Sequence, residues 1–331
     1  MNKLLILIML LFVPSTSNAG ELRTRDDIKK LAQALFTSEQ FEMLNETGTK
    51  YLNRKSRTDS GLWKLTLFYN GLKPNIDVRD PKYWSDRKVR AMKWSQLNED
   101  SSHPRMVYAG ILISEAWMYR GGGWARNVPK ENWKPFHLKI EEAKQYLLSN
   151  SRFKNNDPQW YEQMLSIAKA QNWETADFNK LLNEALTAHP QFYEIYFRAL
   201  NYFQPRWHGS TEEIEKFAIF ATQKSEEHEG QGMYARIYWY ASQAEYGHRL
   251  FTKSNVRWEQ MKLGIKDVIK EYPDQWNINN FAVFACLAKD KAMTKKLLSM
   301  LKGRPIMIAW KHGSFFKKCY TWANQDITVP S

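Results

Sequence analysis

Cysteine is nearly missing from this chain of 331 residues, which holds only Cys286 and Cys319. That scarcity excludes cysteine-rich zinc sites and allows at most one intramolecular disulfide. Beyond residue 19 no stretch approaches the eighteen or so apolar residues a membrane helix needs. Gly-rich and Pro-rich breaks are few, and no low-complexity linker divides the sequence. No region alternates apolar and polar residues between hairpin turns, so a β architecture is excluded.

Familiar chemical motifs are missing too. Arg120-Gly121-Gly122-Gly123-Trp124-Ala125-Arg126 is not followed by the Gly-Lys-Ser/Thr of a nucleotide loop. Glu226-Glu227-His228-Glu229 lacks the His-Glu-x-x-His spacing that puts two metal ligands on one helical face. His208 has no nearby companion ligand, and Ser210 reads as a helix cap rather than a nucleophile. Catalytic residues, a metal and a cofactor are therefore not expected.

The N-terminus carries a clear pattern. Met1-Asn2-Lys3 is a short positive end, Leu4 to Val13 is an unbroken apolar run, and Pro14 ends it. Ser17-Asn18-Ala19 offers small residues at the spacing signal peptidase reads. This is the pattern of a secretory signal peptide over residues 1–19, with an apolar run too short to span a bilayer. A single domain over residues 20–331 is expected to work in the periplasm or outside the cell. Ala19 and Gly20 stand where a lipoprotein would need a cysteine.

The formal charge of +13 favours anionic partners. Export removes nucleic acid from the expected ones. Lys and Arg are interleaved with Asp and Glu on most segments, as on a solvated surface. Peripheral contact with the cell envelope is compatible with that charge.

Apolar residues recur at helical spacing nearly everywhere. Phe178, Leu181, Leu182, Ala185 and Leu186 share one face, as do Phe192, Ile195, Tyr196, Ala199, Leu200 and Phe203. Asp80-Pro81, Asp157-Pro158 and His189-Pro190 read as helix starts, and Thr37-x-x-Gln40 and Ser210-x-x-Glu213 as capping boxes. Pro158 and Pro190, each followed two positions later by an aromatic, repeat at close to a tetratricopeptide interval. The pattern predicts an all-α fold, an irregular tetratricopeptide-like α-solenoid of stacked antiparallel helix pairs. One soft internal boundary falls near residues 150–156.

Three places depart from plain helix packing. Met106 to Tyr119 is apolar almost all round and includes Trp117, yet Glu115 sits within it. A buried carboxylate needs a cation or donors, and Arg120 or Arg206 is the expected partner. Glu115 then either locks two helix pairs or lies as an acid at the bottom of a groove. The glycines at 121–123 either cradle an anion with their N–H groups or make a tight turn. Pro205-Arg206-Trp207-His208-Gly209-Ser210 repeats the mixture of Arg, Trp and Gly. The binding candidates are thus Glu115, Trp117, Arg120, Trp124, Arg206, Trp207 and His208. Arg120, Trp124, Arg206, Trp207 and His208 either form one anion-accepting patch or belong to two separate structural turns. Cys286 and Cys319 stand about one helix-pair unit apart, which places them at equivalent positions on stacked neighbours and allows a disulfide in an oxidising compartment, although Phe284 to Ala288 also reads as an ordinary core strip.

Several segments resemble the bacterial family called domain of unknown function 4034. They are Leu35-Phe36 with Phe41, Gly61-Leu62-Trp63-Lys64-Leu65, Arg120 through Trp124 to Ala125, and Asp157-Pro158-Gln159-Trp160-Tyr161. Pro205 to Ser210 and Tyr272-Pro273-Asp274-Gln275-Trp276 leading to Asn280-Phe281-Ala282 complete the set. The resemblance spans roughly residues 25 to 300 and implies a tetratricopeptide-like solenoid, with no activity to carry over.

The function expected from all this is an exported helical scaffold whose groove binds a protein or peptide partner carrying anionic groups. An envelope hydrolase or wall-modifying enzyme, using Glu115 with Arg120, Arg206 or His208, is the alternative. A glycan-binding module built on exposed Trp residues is the third. Expression of the full chain in an exporting bacterial host should yield a mature protein beginning at Gly20, read by intact mass. Exported protein that keeps residues 1–19 would remove the leader from this reading.

Overall fold

The computed structural model describes residues 20–207 and 209–325, so the expected leader lies outside the described residues. These residues form seventeen α-helices, with one isolated bridge between Arg57 and Trp63 as their extended pairing. The chain opens with α1 (Gly20–Thr37), α2 (Phe41–Asn53) and α3 (Lys64–Leu72). Next come α4 (Pro81–Leu97), α5 (His103–Arg120), α6 (Lys130–Ser149), α7 (Gln159–Ala170) and α8 (Thr175–Ala188). Then follow α9 (Tyr193–Tyr202), α10 (Thr211–Glu229), α11 (Gly232–Ala241), α12 (Leu250–Lys253) and α13 (Trp258–Glu271). The last are α14 (Gln275–Leu287), α15 (Lys291–Ser299), α16 (Met307–Trp310) and α17 (Gly313–Asn324).

This is the expected all-α solenoid. Most helices pack on a chain neighbour, while α5 also packs on α7, α7 on α9 and α9 on α11. Those four make an inner layer, and burial separates it from the outer one. All of α7 is buried, whereas outer α8 buries only Phe178, Leu181, Leu182, Ala185 and Leu186, one face at helical spacing.

Side chains set several helix starts. Asp80 accepts from Lys82 N (2.9 Å), Asp157 from Gln159 N (3.0 Å) and Ser210 from Glu213 N (3.2 Å). Two expected starts differ. Thr37 is the last residue of α1, and α2 begins after Gln40 with no side-chain cap. His189-Pro190 forms a turn before α9, because other elements claim its carbonyls. Tyr196 Oη donates to Pro190 O, and Trp63 Nε1 and Arg57 Nη2 donate to Gln191 O.

The apolar core is continuous from Ala32 to Ala323 and crosses the soft boundary at residues 150–156. Just beyond that boundary Asp157 is fully buried. It accepts from Tyr69 Oη on α3 and Ser102 Oγ (2.7 Å), which precedes α5, while capping α7. Tyr69 Oη also lies 2.8 Å from His103 Nδ1, and Thr49 Oγ1 on α2 lies 3.3 Å from His103 Nε2.

The inner side is partly filled by the chain itself. Glu21 in the first turn of α1 is buried and accepts from Arg25, Thr58 and Ser60, which anchors the α2–α3 loop. Asn277 of α14 then donates to Ser60 O across 217 residues of sequence (3.1 Å), and Arg25 covers the Trp276 ring at 5.4 Å.

At the far end Cys286 of α14 and Cys319 of α17 are disulfide-bonded, with Cα atoms 5.9 Å apart. Replacing both with Ser should lower unfolding free energy by about 3–4 kcal/mol, since the bond closes a 33-residue separation. Equal urea midpoints for the two proteins under oxidising conditions would show that the bond adds nothing.

Candidate functional site

Three inner helices carry polar residues at i, i+4 and i+7, which places them on one helical face. They are Glu162, Ser166 and Lys169 on α7, and Glu194, Arg198 and Asn201 on α9. Arg236, Tyr240 and Gln243 continue the series on α11 and the π-helical turn that follows it. The stripes touch. Arg198 Nε donates to Glu162 Oε1 (2.8 Å), Asn201 Nδ2 donates to Tyr240 Oη (3.1 Å), and Phe197 stacks on Tyr240 at 5.1 Å.

The charges on this wall perturb one another. Burial pushes Glu162 up, but Arg198, Lys73 and hydrogen bonds from Arg198 and Gln159 hold it below the ordinary glutamate value. Burial and the adjacent Glu162 raise Glu194, against the pull of Arg198 and Lys73. Two carboxylates thus share one guanidinium, and the better-bonded one keeps the charge.

Lys169 ends the first stripe without such a partner. It is 8% exposed, and burial pushes its ammonium down to about 7, helped by Arg198, Arg206 and Arg120. Its Nζ lies 4.1 Å from the Trp207 ring centre and 5.2 Å from that of Trp117. Arg120, 7% exposed, covers the same two rings at 5.3 and 5.2 Å, and Trp133 at 5.2 Å. Trp117 and Trp207 meet edge to face at 6.0 Å. Both cations sit in the last turn of their helices, where the negative end of the helix dipole favours them. Among the described residues neither has a carboxylate acting on it.

Gly209 holds the Trp207 turn in place. A Cβ there would lie 1.9 Å from Phe203 O, so no other residue fits this close approach. Further along the wall a cleft of 180 Å³ opens between α1, α9, α11 and α14. Arg25, Glu194, Arg236, Trp239, Tyr240 and Trp276 line it, with Trp239 and Trp276 centred 6.3 Å apart.

The sequence candidates divide accordingly. Trp117, Arg120 and Trp207 converge. Arg206 is adjacent and more open, with Nε donating to Gln204 Oε1 (3.0 Å) and lying 3.9 Å from Glu245. Trp124 stands apart, 58% exposed, with Arg126, not a candidate, over its ring at 5.9 Å. His208 lies outside the described residues.

Glu115 is buried as expected, but its cations are Lys88 (3.0 Å) and Lys139 (3.5 Å), not Arg120 or Arg206. Helix α5 lies between α4 and α6, and Glu115 faces the seam that these lysines line, while Arg120 points at the tryptophans. The glycine turn is engaged from its carbonyl side. Arg120 Nη1 donates to Gly121 O and Gly123 O, both at 3.1 Å, so the turn presents carbonyls to a cation. The grouping of Glu115 with Arg120 or Arg206, on which the enzyme alternative relied, is therefore not formed.

Sequence reasoning missed Lys169, Glu162, Glu194 and Arg198. Their i, i+4, i+7 stripes were visible, but a polar stripe on a helix ordinarily reads as its solvated face. The distinguishing signal is that α7 and α9 are also apolar on their remaining faces. No protein-family model, no curated protein and no solved structure matches the chain.

Lys169→Met should raise stability at neutral and acid pH by roughly 1–4 kcal/mol, because it removes a buried, unpaired charge. The pH dependence follows from linkage. With a folded value of about 7 against an ordinary 10.5, the unfolded chain holds a proton that the folded chain lacks between those pH values. Wild-type stability therefore falls as pH drops from 10.5 to 7 and levels off below. The advantage of Lys169→Met in urea unfolding should be largest at pH 6 and nearly gone at pH 10.5. A pH-independent difference would contradict this.

Proposed function

We propose that this protein is an exported helical-repeat scaffold that binds a protein or peptide partner along the inner wall of its solenoid. The observation that carries the reading is the wall of charged side chains on α7, α9 and α11. Charges in an interior cost stability unless each is fully compensated. Here Glu162 and Lys169 are buried, Glu194 and Arg198 are half-buried beside them, and the row leads into the cleft between Trp239 and Trp276. Stacked helix pairs produce an extended surface suited to holding a chain segment.

The Cys286–Cys319 bond supports an exported setting, since disulfides persist in oxidising compartments. Membership of the domain of unknown function 4034 family is part of this reading and rests on the segments quoted above. It adds fold rather than activity. The paired Trp239 and Trp276 rings favour glycan stacking as the second reading.

The test is affinity capture from an envelope extract with tagged wild-type protein, Glu194→Lys and Trp239→Ala, followed by oligosaccharide titration. A bound protein or peptide should be recovered by wild type and reduced about tenfold by each variant, at a temperature where circular dichroism shows all three chains folded. Equal recovery by all three chains would place binding elsewhere. Saturable oligosaccharide binding without a protein partner would favour the glycan reading.

A further inference from the structure

The Trp117–Trp207 end of the wall has a charge imbalance that the fold does not need. Four cations gather there, and two of them are balanced: Arg198 by Glu162 and Arg206 by Glu245 at 3.9 Å. Among the described residues, the balance for Arg120 and Lys169 comes from aromatic faces and, for Arg120, from the carbonyls of Gly121 and Gly123. A cation over an aromatic ring recovers only part of its lost hydration, typically about 0.5–2 kcal/mol. A fold selected only for packing would place Met or Leu at position 169.

We propose that Arg120 and Lys169, set between Trp117 and Trp207, bind a small oxyanion group carried by the partner. This rests on the scaffold reading and names the chemistry recognised at one point of its wall. The planar guanidinium supplies paired donors to a carboxylate or tetrahedral oxyanion, and the ammonium supplies a third. The indole rings exclude water, which strengthens both contacts. Arg206, with 39% of its side chain exposed, lies beside them on the open side and draws the group inward.

Other charges face Lys169 from the neighbouring elements. Arg120 comes from α5, Arg198 from α9 and Arg206 from the turn after α9. Glu162 on its own helix and Glu194 on α9 are engaged with Arg198 and Lys73. An arriving anion therefore raises the proton affinity of Lys169, and binding strengthens as pH falls.

The experiment is calorimetric titration of the full chain with sodium sulfate and with sodium acetate at constant ionic strength, at pH 6 and pH 9. Both probes keep their charge across that range, so any change belongs to the protein. Saturable binding should appear at pH 6 and weaken about tenfold at pH 9, the change produced by losing one charge-assisted contact. The stronger probe tells whether a tetrahedral oxyanion or a carboxylate is the natural group. Lys169→Met and Arg120→Met should abolish binding, Lys169→Arg should retain it without the pH dependence, and Arg126→Ala should match wild type. Absence of saturable binding, or binding unchanged in Lys169→Met, overturns the proposal. Partner capture that persists in a Lys169→Met chain without anion binding would leave the scaffold reading intact, and loss of capture with anion binding preserved would do the reverse.

Discussion

A buried carboxylate sets the position of everything else. Asp157 is sealed from water and takes hydrogen bonds from Tyr69 and Ser102 and from the first free N–H of α7. Removing any donor would leave part of a charge unsatisfied in the core, a penalty that makes the arrangement nearly all-or-none. Its negative charge also suits the positive end of the helix it caps. Through that cap the register of α7 is fixed, and with it the places of Glu162 and Lys169. The adjacent Ser102-His103 pair belongs to this network and not to a nucleophile. Ser102 donates to Asp157, and Tyr69 contacts the ring nitrogen His103 Nδ1. Burial pushes His103 below its ordinary value, against the pull of Asp157, and so favours the neutral ring.

Much of the architecture was legible in residue order. The stripe from Phe178 to Leu186 lies on the buried face of α8 as read, and Asp80, Asp157 and Ser210 cap as their spacing implies. Less legible were features set by neighbours distant in sequence. A carboxylate inside an apolar helix announces that a cation will be near, but not which one. Lys88 and Lys139 reach Glu115 because of the order in which α4, α5 and α6 pack, and that order is not written locally. The turn at Pro190 failed as a helix start for the same reason, since Trp63 and Arg57 both donate to Gln191 O.

The candidate site was half legible. Arg120 and Trp207 are conspicuous because Arg, Trp and Gly cluster around each, and the two segments do meet. Lys169 is inconspicuous, one lysine in a chain rich in them. Its character comes from burial beside three arginines, a property of the assembled wall. Buried charges placed this way cost the fold stability, since the protein hydrates them poorly.

Solenoids ordinarily behave as one-dimensional arrays, each repeat answering only to its neighbours. The contact from Asn277 to Ser60 breaks that rule by joining the first turn of the array to one near its end. Closing so long a loop has an entropic cost that accrues before the contact forms, which slows the final step of folding. In exchange, the ends no longer fray separately from the middle. A chain folding from its N-terminus would assemble its early repeats first, yet it could lock them only once α14 had followed. The same closure turns the curvature of the array from a soft variable into a fixed one, so the spacing between the cleft at Trp276 and the cations at Trp207 is held constant, as on a ruler.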